Sequence, residues 1–377
     1  MGKLNHKFIE KTKFLFLSMG PGETGHAIAL ARYISKRGGK ILFALKQEKN
    51  LNFLLEDRNF NVFFTPTPKE LKKIIKKERP DVLLIFNSKI WGSRFENFLN
   101  KTPFQKPPFT VCVDSNWLFN DKKYPDFKFI KWADEYLIVF PKKIFELGLK
   151  KNKGTYIISR SFLKKISPIG FIPSYQKPAR KEILKIRKKY KIKSDEKFIF
   201  SYFSGLGAGH RTWAFENLIR ATDKLIKKGR KIKVLYLGPT EDLNQEKLKR
   251  KWLIKIRELP ASEYFLTLSS ADLVFQHQGL VTLVQAISAQ VPVIANVSIL
   301  KSKIPKNHFW EVNPFVKVGT CIMLSKSTPT KKISQSINQL LFDKKSIEKM
   351  KEKQKLIFEK GENKSFEIIK RKISIEG

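Results

Sequence analysis

The chain has 377 residues, enough for two or three domains, and 42 % of them are hydrophobic, which excludes a disordered protein by composition. Its 75 Lys and Arg residues against 34 Asp and Glu residues give a net charge of +41, divided as +18 over residues 1–170 and +23 over residues 171–377. Two cysteines exclude a disulfide scaffold, and five histidines without a Cys/His cluster exclude a structural zinc site.

The apolar runs are short. None approaches the roughly 18–20 residues that a membrane span requires, and residues 14–17 are too few for a signal-peptide core of about 7–15 residues. We therefore expect a cytoplasmic protein, either soluble or peripheral on the inner face of the membrane. The diffuse charge fits compositional drift, an anionic membrane surface or nucleic acid, although no nucleic-acid motif supports the third interpretation.

The first half alternates apolar runs with amphipathic ones, which is typical of a parallel sheet covered by helices on both faces. Helices are predicted at residues 27–36, 51–57 and 69–77. Strands are predicted at residues 14–17, 41–45, 62–64, 82–86, 110–113 and 136–140.

A stretch rich in Pro and Gly, residues 167–174, is the candidate linker between domains, and the same alternation restarts after it. Residues 331–375 are typical of two or three further helices. Strands are predicted at residues 198–203, 234–237, 253–256, 273–275 and 291–295, and helices at residues 180–190, 212–228, 262–270 and 280–289. The sequence thus predicts two α/β domains in tandem with a helical tail.

The first of three strand-to-helix loops covers residues 18–26. Its glycines at positions 20, 22 and 25 let a ligand approach the backbone, and the next helix offers free N–H groups to an anion. His26 begins that helix, where a histidine suits a general base near neutral pH. The alternative is a glycine-rich turn with an exposed histidine.

The second loop, residues 204–212, holds the corresponding place in the second half. Gly205, Gly207 and Gly209 suit a phosphate cradle, and Arg211 could neutralise a diphosphate. A flexible turn with a solvated arginine is the alternative.

The third loop lies within residues 258–300, a stretch without Lys or Arg. A strand ends at Phe275, and a helix begins near Leu280 after a turn that contains glycine. A phosphate bound here would be held by backbone N–H groups, the helix dipole and His277, with Arg211 supplying charge. Taken alone, His277 is typical of a structural residue and Gln285 of a solvated one.

These loops resemble motifs of the GT-B glycosyltransferases, in particular the nucleotide-sugar-dependent MurG-like (family 28) group and the related UDP-glycosyltransferases. The first loop resembles a Gly-Gly-Thr-Gly-Gly-His motif, and the second resembles a Gly-Ser-x-Gly phosphate loop. The third loop carries most of the resemblance, in Asp272, His277, Gly279, Thr282, Gln285, Pro292 and Ile294.

The resemblance implies an α/β fold of two Rossmann-like domains whose parallel sheets face each other across a cleft, with C-terminal helices crossing back to the first domain. The implied domains are residues 1–170 for the acceptor, residues 171–360 for the nucleotide sugar, and residues 361–377 as a helix that packs on the first domain.

The resemblance also implies roles for individual residues. His26 is the base that deprotonates the acceptor hydroxyl, and Gln285 faces the ribose hydroxyls. The acceptor or phosphate loop is Gly22, Glu23, Thr24 and Gly25; the diphosphate contacts are Gly205, Gly207, Ala208 and Arg211; and His277, Gly279 and Thr282 complete the phosphate and ribose site.

Three departures from the family pattern stand out. Gln285 replaces a glutamate, which would weaken the grip on ribose by about 1–2 kcal/mol, because an amide lacks the charge of a carboxylate. Glu23 and Gln278 each replace a glycine. The donor and acceptor therefore stay open.

The expected activity is inverting, metal-independent transfer of a sugar from a nucleotide sugar, such as the UDP-sugar UDP-N-acetylglucosamine, to a hydroxyl acceptor. Acceptors include lipid-linked ones at the membrane surface, and neither a cofactor nor a metal is expected. The alternatives are a sugar-nucleotide 2-epimerase, for which Asp114 and Glu23 are the available carboxylates, a catalytically decayed scaffold at an anionic membrane, and a nucleic-acid-binding protein.

Overall fold

The described part of the chain falls into two compact units. One comprises Met1–Ser174 with Glu359–Gly377, and the other comprises Tyr175–Phe358, whereas the sequence predicts divisions after residues 170 and 360. The helix predicted at residues 51–57 lies outside the described residues. The computed structural model describes residues 11–18, 21–45, 60–64, 67–86, 107–114, 133–151, 165–173, 177–203, 208–277, 279–298 and 309–376.

The first unit is built on a parallel sheet. Its described strands are β1 (Lys13–Ser18), β2 (Lys40–Leu45), β3 (Asn61–Phe64), β4 (Val82–Phe86), β5 (Phe109–Asp114), β6 (Glu135–Ile138) and β7 (Ile166–Pro168), and its helices include α1 (Pro21–Ser35), α2 (Pro68–Glu78) and α3 (Lys142–Lys151). The seven strands lie in the order β3-β2-β1-β4-β5-β6-β7. The apolar runs of the sequence form these strands because both faces of the sheet are covered.

The second unit repeats this plan with six described strands in the order β10-β9-β8-β11-β12-β13. The strands are β8 (Lys197–Tyr202), β9 (Ile232–Leu237), β10 (Leu253–Ile256), β11 (Leu273–His277), β12 (Val293–Val297) and β13 (Ile322–Ser325). The helices are α4 (Arg180–Lys189), α5 (Ala208–Ile226), α6 (Gln245–Leu248), α7 (Ala261–Ser269), α8 (Leu280–Ala289), α9 (Phe309–Lys317), α10 (Thr330–Phe342) and α11 (Lys344–Ile357). The predicted pair of parallel α/β sheets is confirmed.

The strand order reverses once in each sheet. The reversal falls between β1 and β4 in the first sheet and between β8 and β11 in the second. In open parallel sheets, ligands bind beyond the carboxyl ends of the strands at such a switch point. The first predicted loop follows β1, the second follows β8 and the third follows β11, so all three begin at switch-point strands.

A last helix, α12 (Gly361–Glu376), belongs to the first unit. Its Phe366, Ile369 and Ile373 are buried in the core of that unit. Tyr33 on α1 donates a 2.7 Å hydrogen bond to Asn363, and its ring meets Phe366 edge-on. The C-terminal segment therefore contributes to the core of the N-terminal unit.

The stretch predicted as a linker, residues 167–174, ends where the chain passes from the first unit to the second, and most of it packs into the first unit. Residues 166–168 form β7, and Ile169, Phe171 and Ile172 are fully buried. The Phe171 N–H donates to the Glu359 carbonyl at 2.7 Å, and the Gly361 N–H donates to the Phe171 carbonyl at 2.7 Å. Pro and Gly residues favour a turn or loop here, but the apolar residues between them are buried in the core of the first unit.

We expect Gly170→Ala to be clearly destabilising. Gly170 has φ +97°, and an added Cβ would lie 2.5 Å from the Glu359 carbonyl oxygen. Gly229→Ala is the matched control, because Gly229 has φ +82° but nothing within 4 Å of an added Cβ. The backbone strain of about 1 kcal/mol is then common to both variants, and the clash adds about 1–3 kcal/mol at Gly170 alone. Denaturant unfolding midpoints measure the difference, and equal midpoints for the two variants would contradict the close approach.

Two further findings concern single features of the described chain. None of the described helices has the length and apolarity to cross a membrane. Cys112 and Cys321 are both buried free thiols. Burial raises the pKa of both thiols.

Candidate functional site

In the first unit, the candidate residues lie where β1 meets α1. The helix begins at Pro21, so Gly22, Glu23, Thr24 and Gly25 form its first turns. The prediction that these residues form a loop and that His26 begins the helix is therefore wrong. Proline at a first helical position leaves no N–H to satisfy and is a common helix start. Two of the glycines that suggest a loop, Gly22 and Gly25, lie in this helix, and Gly20 lies outside the described residues.

Thr24 ties the helix to the strand. Its hydroxyl lies 2.8 Å from that of Ser18, the last residue of β1, and both side chains are fully buried. Glu23 lies in the first turn of α1, where a negative charge is favourable to the helix dipole. The strand end and the first helical turn thus form one hydrogen-bonded unit immediately before His26.

His26 is buried, with 5 % of its surface exposed, rather than an exposed turn residue. Its Nδ1 lies 2.6 Å from the carbonyl oxygen of Ile172. Because a carbonyl only accepts, Nδ1 carries the proton, and the neutral ring has its lone pair on Nε2. This is the tautomer in which a histidine can accept a proton at Nε2.

The pKa of His26 is lowered from its ordinary value of 6.5. Burial lowers it most, while the hydrogen bond to Ile172 and the charge of Glu23 oppose the shift. His26 is therefore neutral at neutral pH, and any activity that needs its neutral form has an acidic limb with a midpoint below 6.5. A pH profile of kcat/KM measures this midpoint in the free enzyme, and a midpoint above 6.5 would contradict the burial. The unfolded chain binds this proton more readily than the folded protein does. The free energy of unfolding therefore decreases as the pH falls from 6.5 towards the lowered pKa of His26.

In the second unit, polar side chains cluster at the carboxyl ends of β11 and β12. His277 ends β11 and pairs in register with Asn296 on β12. His277 is buried, and its ring meets that of Trp213 edge-on at 5.0 Å. The Nδ2 of Asn296 donates a 2.8 Å hydrogen bond to the Gln276 carbonyl. Three polar residues thus lie buried at the carboxyl ends of these two strands.

Gln276 and Asn296 have hydrogen-bonding capacity that the protein does not use. Gln276 is fully buried, and neither polar atom of its amide has a partner among the described residues; the same holds for Oδ1 of Asn296. A buried unsatisfied amide costs about 1–3 kcal/mol. Such groups at the end of a sheet are suited to a polar ligand.

The helix that follows β11 offers an anion site. α8 begins at Leu280, and its N-cap residue, Gly279, has φ 100° and no side-chain capping hydrogen bond. Gly279 is exposed, and a Cβ there would meet nothing within 4 Å. The first N–H groups of α8 are thus uncapped by any side chain at the N-cap, which is the arrangement that binds phosphate at helix N-termini.

Thr282 and Gln285 lie on the buried side of α8. The Thr282 hydroxyl lies 2.9 Å from the Tyr264 hydroxyl on α7, so it already has a partner. Gln285 is 5 % exposed, which differs from the solvated residue that its position alone suggests. The helix places both side chains on one face, because they are three residues apart.

The second loop is described only in part. Gly205 and Gly207 lie outside the described residues, and Ala208 and Arg211 lie in the first turns of α5. The Nη2 of Arg211 lies 3.1 Å from Oδ2 of Asp242, with both side chains less than one-fifth exposed. Much of the arginine's charge is therefore already balanced inside the second unit, and it is not the solvated arginine of the alternative interpretation.

Comparison with solved structures defines the fold. MurG from Acinetobacter baumannii is 13 % identical over 96 % of this chain and 99 % of its own, with a TM-score of 0.60. UGT89C1 from Arabidopsis thaliana, solved in complex with UDP, is 12 % identical over 96 % of this chain and 100 % of its own, with a TM-score of 0.66. The chain has the GT-B fold.

A third structure with the GT-B fold, a Listeria monocytogenes protein described as a UDP-N-acetylglucosamine 2-epimerase, is 14 % identical over 90 % of each chain, with a TM-score of 0.62. No protein-family model and no curated protein sequence matches this chain. Likeness at these identities establishes the GT-B fold, and the activity has to be argued from the residues.

Proposed function

We propose that this GT-B protein transfers a sugar from a nucleotide sugar, a UDP-sugar such as UDP-N-acetylglucosamine, to a hydroxyl acceptor, with inversion at the anomeric carbon and without a metal ion. One observation carries the proposal. At the carboxyl ends of β11 and β12, α8 begins three residues after His277, and both polar atoms of the Gln276 amide and Oδ1 of Asn296 have no partner among the described residues. A nucleoside diphosphate supplies both an anion for the helix and polar groups for the amides.

On the donor side, the chain must stabilise a departing diphosphate. The N–H groups of α8 and the positive end of its dipole are aimed at that charge, and the surrounding stretch carries no Lys or Arg. Arg211 adds positive charge, which Asp242 partly balances. Fixed backbone dipoles need no reorganisation as the leaving group departs, so they act without a divalent cation in this proposal.

On the acceptor side, one proton must leave the attacking hydroxyl. Neutral His26, held by Ile172 with Nε2 as the acceptor, is the proposed base. The hydroxyl oxygen of the acceptor attacks the anomeric carbon as the bond from that carbon to the diphosphate oxygen breaks, and the hydroxyl proton passes to Nε2 of His26. Gly22, Glu23, Thr24 and Gly25 are proposed to contact the acceptor from the first turns of α1.

Calorimetric titration tests the donor site. We expect UDP to bind saturably and one UDP-sugar to bind in preference to others of a panel. No binding of UDP or of any nucleotide sugar would overturn the proposal.

The Gln285→Glu variant tests the ribose contact. A glutamate there buries a charge, so we expect lower thermal stability without UDP. We expect two charge-assisted hydrogen bonds from the carboxylate to the ribose to strengthen UDP binding by about 1–2 kcal/mol, or roughly tenfold. Gln290→Glu, at the other end of α8, is the control with the same added charge. Equal effects of both variants on UDP affinity would remove Gln285 from the ribose site.

Epimerisation is the second candidate, because the Listeria protein shares the fold. It calls for carboxylates near the sugar, and Asp114 at the end of β5 is buried and accepts a hydrogen bond from Tyr136. Product analysis separates the two activities. Transfer releases UDP and needs an acceptor, whereas epimerisation returns an intact nucleotide sugar with changed stereochemistry.

A further inference from the structure

A groove lies at the amino ends of the central strands of the second sheet, opposite the carboxyl ends that hold the candidate donor site. Lys197 is the first residue of β8, Asp272 immediately precedes β11, and Pro292 immediately precedes β12; all three line the groove. Because these strands are parallel, their amino ends share one edge, and His277 and Asn296 lie at the opposite one. The groove has a volume of about 580 Å³, within the range of small-molecule sites.

The groove is electropositive. Its acidic groups are Asp272 and Glu348, and Asp272 is already held by the Arg187 guanidinium at 3.2 Å and the Phe198 N–H at 2.7 Å. Within the described chain, no carboxylate oxygen lies within 4.0 Å of the amines of Lys197 or Lys344, whereas Lys351 is 3.6 Å from Glu348. The lysines that line it are Lys177, Lys197, Lys344 and Lys351.

Apolar side chains form the remaining wall of the groove, among them Val291, Leu341 and Phe342. Ser269, the last residue of α7, also lines the groove, but its Oγ is buried. The groove therefore combines amines with an apolar surface.

We propose that this groove binds a small phosphate-bearing molecule, with the phosphate at Lys197 and Lys344 and the rest of the molecule against the apolar wall. A concave site suits a compact anion rather than an extended polyanion, which needs a row of contacts. The site lies at the sheet edge opposite the one proposed for the nucleotide sugar, so the second unit can hold both ligands at once.

Site-resolved acetylation of lysines, read by mass spectrometry with inorganic pyrophosphate as the probe, tests the proposal on the intact protein. Modification needs the free site, so at pyrophosphate of about three times Kd the acetylation of Lys197 and Lys344 slows about fourfold. Lys228 and Lys255, exposed on the same unit and outside the groove, keep their rates. Uniform slowing of all four lysines, or no slowing at any, would overturn the proposal.

A pair of double variants provides the second test. Calorimetry should show that K197Q with K344Q weakens pyrophosphate binding at least about tenfold, because each charged contact to phosphate is lost. K228Q with K255Q removes the same charge elsewhere and should leave the affinity within about twofold, since exposed charges at a distance are screened. Equal losses in both double variants would mean that the net charge, and not the groove, binds the anion. Pyrophosphate bound at the proposed donor site, at the opposite ends of the strands, protects neither Lys197 nor Lys344, so the acetylation map separates the two sites.

Discussion

Replacing His26 by Asn should lower kcat for UDP release from the preferred UDP-sugar by about 10²–10⁴, the usual contribution of a positioned general base. The substitution is chosen for its geometry. The asparagine Nδ2 can still donate to the Ile172 carbonyl, which His26 Nδ1 meets at 2.6 Å, but the side chain has no basic nitrogen. Nucleotide-sugar affinity should stay within about twofold, because the loss is confined to the transition state.

Ser18→Ala is the control for His26→Asn. It removes the buried hydrogen bond between Ser18 and Thr24, which joins β1 to α1 just before His26, and it leaves the histidine in place. We expect it to cost about 1 kcal/mol of stability and to change kcat by less than about threefold. If His26→Asn keeps its activity, or if both variants lose the same amount, His26 positions the helix and is not the base.

Gly279→Asp should weaken UDP binding roughly 100-fold. A carboxylate at the N-cap of α8 occupies the N–H groups proposed for the diphosphate and repels its charge; two unit charges about 4–5 Å apart at an effective dielectric constant near 20 repel by roughly 3–4 kcal/mol. Gly279 is exposed and has open space for a side chain, so no packing is disturbed. Calorimetric titration with UDP measures the loss.

Gly279→Ala is the matched variant, since any L-residue meets the same backbone strain at φ 100°. We expect the alanine variant to bind UDP within about fivefold of the unchanged protein. The ratio of the UDP affinities of the two variants isolates the effect of the added negative charge. A ratio near one would place the anion somewhere other than the N-terminus of α8.

Much of the fold follows from local patterns. The predicted helix at residues 280–289 coincides with α8, because an apolar run begins directly after Gly279 and ends before a turn at Gln290. β7 escapes prediction because it has only three residues, one of them a proline, too few for a periodic signal. α1 begins at Pro21, earlier than predicted. Proline favours a helix start at this position, but the neighbouring glycines favour a loop, so the two sequence signals disagree.

The candidate site is less accessible to sequence reasoning, because its geometry depends on partners far along the chain. Ile172, which fixes the tautomer of His26, is 146 residues away, and Asp242, which balances Arg211, is 31 residues away. The sequence does contain a signal for Gln276 and Asn296 as candidate ligand contacts, although neither belongs to the motifs described above. Each is a polar residue near the carboxyl end of an otherwise apolar strand, where parallel sheets place their ligand contacts.

The central claim is sugar transfer from a nucleotide sugar, and the most direct test is product analysis by mass spectrometry after incubation with the UDP-sugar that binds best and a panel of hydroxyl acceptors. The account predicts one sugar added to an acceptor for each UDP released, with the anomeric configuration inverted in the product by NMR. A nucleotide sugar that is recovered unchanged with every acceptor, or recovered as its epimer, would contradict it.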